Sequence, residues 1–240
     1  MTLYKITPLH LGTIRRRKSN MILDSPPCDA QGDFPLLAYY LEGTHRILVD
    51  TGGNPPEDPY GQKAQPYTRT PEQELPRALR AAGVAPEDIE IVILTHLHWD
   101  HAANNHLLPN ARFYCQRAEY EFIQNPTPEA SMGYEFERVR KTRYELVDGD
   151  ARLFDSVSVL LTPGHTKGGQ CVVVDTAEGK TVLTGDLITL RESYRMNPPM
   201  PNGLCIDREA MLDSLKKVKA VSDRILPGHD PGVLPPGGGL

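Results

Sequence analysis

Apolar residues along this chain gather into short runs, several of them unbroken rather than alternating with polar positions. They occupy residues 35–41, 46–50, 89–94, 112–115, 157–162, 171–175, 181–184 and 224–226. Successive side chains of a strand point to opposite faces, so an unbroken apolar run predicts a strand covered on both sides. Helical stretches fall between the runs. Thr70-Pro71-Glu72-Gln73 reads as a capping box with proline at the first helical position, and Gly83 ends that helix. Pro76 lies inside it and offers an alternative start. Asp207 caps a second helix over 208–221, where Met211, Leu212, Leu215, Val218 and Val221 share one face. Interleaved strands and helices predict an α/β layered protein. The stretch 45–52 faintly echoes 180–186, each a turn, an apolar strand and a Gly/Asp end, which suits a two-sheet sandwich built from related halves.

Composition narrows the class without changing this picture. The chain has 240 residues, 39% hydrophobic and 24% charged, which is ordinary for a globular protein able to bury a substantial core. No low-complexity linker interrupts it, and a single domain over 1–240 is expected; only the tail Pro235-Pro236-Gly237-Gly238-Gly239 should fray. A formal net charge of −5 argues against a nucleic-acid partner. The basic run Arg15-Arg16-Arg17-Lys18 reads as a solvated strand edge or turn. Neither a signal-peptide pattern nor an apolar run long enough for a bilayer is present, so a cytoplasmic protein without a membrane partner is expected. Cys28, Cys115, Cys171 and Cys205 are widely separated, form no C-x-x-C pair, and read as buried or half-buried free thiols.

The chemistry is concentrated at strand ends. The apolar run 91–94 leads directly into Thr95-His96-Leu97-His98-Trp99-Asp100-His101. Imidazole and carboxylate are the borderline ligands that suit zinc, iron, cobalt or manganese. On extended chain His96 and His98 point to the same side, whereas Asp100 and His101 need a turn to face a second position. Four ligands so close would crowd one ion, so the spacing favours two. No Glu follows His96, which excludes the H-E-x-x-H metalloprotease helix. Three more segments repeat the design: a strand and turn ending in His165, a strand ending in Asp186, and a strand and turn ending in His229.

His-x-His-x-Asp-His, TPGHT, TGD and PGHD in this order resemble the metallo-β-lactamase superfamily, and the match runs from Leu48-Val49-Asp50-Thr51-Gly52 to His229. The resemblance implies an αββα sandwich, two mixed β-sheets flanked by helices, with a dinuclear centre between the sheets. It implies that His96, His98 and His165 hold one divalent transition-metal ion, that Asp100, His101 and His229 hold the other, and that Asp186 bridges them. Zinc is the favoured metal, with iron, cobalt and manganese open. Asp50 resembles the family's strand-end aspartate, which orients a ligand rather than binding metal. Hydroxide on the ions would attack a substrate carbonyl, with Asp100 and Asp186 nearest the developing charge and Asp186 shuttling a proton.

Within the superfamily, β-lactamases of the best-known type place Cys where this chain has Asp186, and lack a counterpart of His101. Glyoxalase II-type thioesterases carry a helical domain beyond the last His, where only eleven residues follow here. Superfamily nucleases append further domains and basic exosites. The N-acyl-homoserine lactonase branch shares the motif THLHWDHAANN and the compact length. The expected substrate is therefore a small molecule, a lactone such as an N-acyl-homoserine lactone, and the activity quorum quenching. A thioesterase, amidase, β-lactam hydrolase or single-iron persulfide dioxygenase stands as the alternative, and a homodimer is left open. One departure concerns Thr189, where such lactonases place a substrate-contacting Tyr; Tyr194 is the candidate replacement. Two stretches offer an acyl pocket: residues 119–144, with five aromatic side chains, and residues 191–203, with Tyr194, Met196 and Met200.

Overall fold

Ile47 and Val49 face one way from their strand and Leu48 the other; Ile91 and Ile93 repeat this around Val92. That alternation of buried residues on both faces is what makes the runs unbroken, and it generates the layers. The structure is a computed structural model, and it describes residues 2–25, 27, 29–58, 67–128 and 131–235. The expectations for Cys28 and for the tail from Pro236 onward lie outside these residues.

Seven strands form the first sheet: β1 (Lys5–Arg17), β2 (Gln31–Glu42), β3 (Arg46–Val49), β4 (Tyr67–Thr68), β5 (Ile91–Ile93), β6 (Arg112–Gln116) and β7 (Tyr144–Val147). Their order is β4-β1-β2-β3-β5-β6-β7, antiparallel from β4 to β3 and parallel from β3 to β7. The second sheet has β8 (Ala151–Phe154), β9 (Val157–Leu161), β10 (Gln170–Thr176), β11 (Gly179–Leu183) and β12 (Arg224–Leu226), in the order β12-β11-β10-β9-β8. Only its β11–β12 pair is parallel. Leu37, Tyr39, Ile47, Val49, Ile91 and Ile93 of the first sheet pack against Val157, Val159, Val172, Val174, Leu183 and Leu226 of the second. Each such burial contributes roughly 1.5–3 kcal/mol.

Helices cover both outer faces, giving the αββα sandwich. The Leu75–Ala81 and Arg117–Gln124 helices close the first sheet through Leu75, Leu79, Phe122 and Ile123 over Leu48, Val92 and Leu94. The Arg208–Val221 helix closes the second through Met211, Leu215 and Val218 over Val173, Val182 and Ile225. Its start is capped as expected, with the Asp207 side chain accepting the Ala210 N–H; at its far end Val221 is exposed. The capping box at Thr70 forms, but it closes a 3-10 turn over Pro71–Gln73, and the α-helix begins at Leu75 with Pro76 in its first turn. Gly83 follows with a φ of +86°. Four strands escape the apolar pattern: β1, β4, β7 and β8. The basic run ends β1, with Arg15 and Arg17 exposed and Arg16 half-buried. Cys115 and Cys171 are buried free thiols, and Cys205 is half-buried. Among the described residues no helix is long and apolar enough to cross a membrane.

Candidate metal centre

Each candidate donor segment leaves its strand at the same rim of the sandwich. Past β5 the chain bends at Thr95 and runs through His96, and His98 precedes a short helix, Trp99–Ala102, which turns Asp100 and His101 back toward His96. Past β9, Gly164 turns the chain at φ +133°, a conformation other residues rarely adopt, and a Cβ there would lie 2.5 Å from the Met211 backbone. Past β11 and β12, Gly185 and Gly228 let the Asp186 and His229 turns approach, since a Cβ on Gly228 would stand 2.6 Å from the Gly185 carbonyl oxygen.

The seven donors meet in two adjoining groups. His96 Nε2 and His165 Nε2 lie 3.0 and 3.1 Å from His98 Nδ1, completing one triad. Asp100, His101 and His229 form a second, with His229 Nε2 3.8 Å from Asp100 Oδ2. The Asp186 carboxylate lies between them. Its Oδ1 is 3.0 Å from His229 Nε2 and 3.3 Å from His101 Nε2, while Oδ2 is 3.4 Å from His165 Nε2. All are buried except His98, which is half-buried.

The outward ring nitrogens are held by the surroundings, which fixes how each imidazole points. His101 Nδ1 meets Asp50 Oδ2 at 2.7 Å, and His229 Nδ1 meets the Pro35 carbonyl at 2.9 Å. His96 Nδ1 lies 3.1 Å from Thr95 Oγ1, and His165 Nδ1 lies 3.4 Å from the Asn202 amide, which also donates to the Asp186 carbonyl. Glu119 anchors the first triad from behind. Its buried carboxylate accepts the Leu97 N–H, the Gly168 N–H and the Tyr134 hydroxyl, and the Tyr134 ring stands edge-on to His98. Burial pushes the Glu119 carboxyl above its usual range, against the pull of those donors.

Electrostatics divide the centre. Burial, then the charges of neighbouring histidines, hold His96 and His98 well below the ordinary imidazole range. Burial acts the same way on His101 and His229, but carboxylates outweigh it and raise both: Asp50, Asp186 and Asp100 around His101, Asp186 and Asp100 around His229. Burial works against ionisation of Asp186, yet His229 and His101 hold its carboxyl well below the usual range. His101 Nε2, His229 Nε2 and Asp186 Oδ1 nonetheless face one another at 3.0–3.3 Å without a well-aligned hydrogen bond. Buried polar atoms left so are rare, and inward donors with anchored outer nitrogens are what a pair of cations requires. The residues fit two borderline divalent ions.

A cavity of about 190 Å³ opens onto His98, Asp100, His165 and Asp186, walled by Arg16, Trp99, Met132, Gly133, Leu204, Cys205 and Ile206. This corrects the expectation for Tyr194. That residue sits on the Arg191–Arg195 helix, its ring against the outer-face cluster of Met211 and Leu215, and its hydroxyl lies 3.5 Å from Ser222 Oγ. The chain beyond Asp186 is tied alongside the His229 turn, with the Ile188 and Thr189 carbonyls accepting the Gly228 and His229 N–H groups, so sequence proximity does not bring Tyr194 inward. Thr189 is also turned away, donating to the Met21 carbonyl at 2.5 Å. Met196 and Met200 pack around Trp99 and Leu190 instead of lining the cavity. Of the two stretches proposed for an acyl pocket, the first supplies Met132 and Gly133; the second stops just short of the lining residues 204–206. Glu119, Asn202 and Arg16 carry no sequence signal that marks them for these places.

Comparison with known proteins agrees with this geometry. The sequence model of the metallo-beta-lactamase superfamily matches residues 32–229. An N-acyl homoserine lactonase from a Bacillus species is 33% identical over 215 residues, 82% of each chain, and one from Bacillus cereus is 30% identical over 217 residues, again 82% of each. A crystal structure of a Bacillus thuringiensis AiiA variant with N-decanoyl-L-homoserine at its active site superposes with a TM-score of 0.81 at 27% identity, covering 97% of this chain and 95% of that one. An N-acyl homoserine lactone hydrolase with N-hexanoyl-L-homoserine bound at its catalytic metal centre superposes equally well, with the same identity and coverage.

Proposed function

The chain belongs to the metallo-beta-lactamase superfamily, and from that premise we propose that it is a dinuclear metal-dependent hydrolase that opens lactones, N-acyl-homoserine lactones among them. The observation that carries the reading is the seven-donor constellation with the two oxygens of Asp186 turned to different triads. The lactonase relatives, matched over most of their length, support the substrate class.

His96, His98 and His165 would hold one ion and Asp100, His101 and His229 the other, with Asp186 shared; zinc suits this donor set. Two such ions, when bound, supply Lewis acidity and bring the pKa of a coordinated water toward ~7. The remaining work belongs to the chain. Asp186, at the junction of the triads and on the cavity floor, carries the proton to the departing ring oxygen. Asp100 contributes negative charge beside it. Trp99, Met132, Leu204 and Ile206 exclude water from the bond being broken and receive the acyl arm. Among the described residues no tyrosine lines the cavity. Ring opening of an acylated lactone signal would make the protein quorum-quenching.

The test is a hydrolysis screen of the metal-loaded protein over lactones, thioesters, esters and β-lactams, alongside elemental analysis. We expect two ions per chain, loss of activity on chelation, and preferential lactone opening. Asp186→Asn should lower turnover by at least about 10²-fold and weaken metal retention. Cleavage of a thioester or β-lactam with every lactone ignored would sink the lactone reading. An Asp186→Asn variant with wild-type turnover and two ions would remove Asp186 from its role.

A further inference from the structure

Alternation along the end of β1 separates three consecutive arginines. Arg15 points to solvent and pairs with Asp33 through two contacts of 3.1 Å, and Arg17 is exposed. Arg16 lies on the side of buried Ile14, and its half-buried side chain forms part of the wall of the active-site cavity. Its Nε is buried and has no hydrogen-bond partner, and among the described residues no carboxylate forms an ion pair with it. The two carboxylates of the same cavity face the histidines: Asp186 meets His229 and His101, and Asp100 meets His229. Its other walls are mainly apolar, made by Trp99, Met132, Leu204 and Ile206.

An apolar acyl chain alone gives no reason for a guanidinium at this place. The planar guanidinium fork matches a carboxylate with two parallel hydrogen bonds. We propose that Arg16 forms an anion subsite beside the metal centre, selecting lactones whose acyl arm carries a carboxylate. This deepens, and rests on, the lactonase reading above. The partner that the described chain withholds from Arg16 is brought by the substrate. Met132, Leu204 and Ile206 enclose the methylene segment between the lactone ring and that carboxylate.

The experiment compares N-succinyl-homoserine lactone with its 4-methylpentanoyl counterpart, in which a neutral isopropyl group of the same shape replaces the carboxylate. The uncleavable γ-lactam analogues of both serve for calorimetry. Metal-loaded wild type should favour the succinyl lactone in kcat/KM by about 10- to 100-fold, the scale of a hydrogen bond to a charged group. Arg16→Met should abolish that ratio, Arg16→Lys should keep part of it, and the succinyl lactam should bind wild type more tightly than Arg16→Met by a similar factor. Arg16→Gln gives the same comparison if the Met variant does not fold. Equal use of both lactones by wild type, or a succinyl preference that survives in Arg16→Met, overturns the subsite. If neither lactone is opened, the lactonase reading fails by itself, and the lactams then decide: an Arg16-dependent advantage upholds the subsite, and none removes it as well.

Discussion

Asp50 Oδ2 stands 2.7 Å from Nδ1 of His101, at the meeting point of β3 and the turn that follows β5. The same carboxylate accepts the N–H of Thr95 at 2.7 Å and its hydroxyl at 2.8 Å. Asp50 reaches both from a left-handed backbone, φ +62°, which aspartate tolerates better than most residues. One side chain thus fixes the path of the chain into His96 and aims His101 Nε2 at the centre. Asp50→Asn preserves size but sets an amide N–H2 against one of these donors. Metal affinity should fall about 10- to 100-fold, as for other residues that orient a ligand, measured by competition with a chromophoric chelator. Unchanged affinity would show that His101 is held without Asp50.

Glu119 serves the other triad, and its replacement tests a different cause. Gln has one acceptor oxygen where the carboxylate has two, and Leu97 N–H, Gly168 N–H and the Tyr134 hydroxyl all donate to Glu119. Glu119→Gln leaves at least one buried donor unmatched, at a cost of about 1–3 kcal/mol, read from urea denaturation. Because Leu97 lies between His96 and His98, the variant should also lose metal from that triad first on dialysis. Stability and metal content equal to wild type would refute this account.

Two glycines separate crowding from backbone conformation. A Cβ on Gly164 would meet Met211 at 2.4 Å and its backbone at 2.5 Å, whereas a Cβ on Gly83 would meet nothing within 4 Å. Both have positive φ. Gly83→Ala should cost only the left-handed penalty of roughly 1–2 kcal/mol. Gly164→Ala adds overpacking of about 1–3 kcal/mol and shifts the turn that presents His165. Thermal denaturation of the two variants should rank them in that order, and equal losses would mean that the contact with Met211 relaxes freely.

Tyr194→Phe should be nearly silent. Its hydroxyl has a single 3.5 Å contact to Ser222, and its ring packs on the far side of the second sheet. Turnover within about twofold of wild type is expected, far from the 10²–10³ that an oxyanion donor is worth. A loss of that larger size in steady-state kinetics would place the hydroxyl at the substrate after all.

That these seven donor side chains would gather at one rim was legible in the sequence because each segment carries two signals together, an apolar run and a donor immediately beyond it. The Arg208–Val221 helix was legible for a similar reason, since Asp207 marks its start and Met211, Leu215 and Val218 mark its face. β1 was not. Pro8, His10 and the three arginines break its apolar pattern, and the register shifts between His10 and Thr13, where Gly12 has a φ of +137°. Tyr194 was misplaced because closeness in sequence to Asp186 says nothing about direction once the chain is bonded to the His229 turn. The cavity walls Met132, Leu204 and Ile206 come from irregular segments whose positions no periodicity encodes.

The centre also straddles a boundary. His96, His98, Asp100 and His101 hang from the first sheet, and His165, Asp186 and His229 from the second. Gln170 spans the gap, its backbone N–H reaching Thr95 O and its side-chain amide reaching Leu94 O, each at 2.8 Å. Sliding one sheet against the other by a fraction of an ångström would therefore move four donors relative to three. A close-packed interior transmits such shear instead of absorbing it. The donor spacings thus act as a gauge of the alignment of the two sheets, and trimming Val49 or Leu183, deep in the interface between them, should register as detuned chemistry before the fold itself gives way.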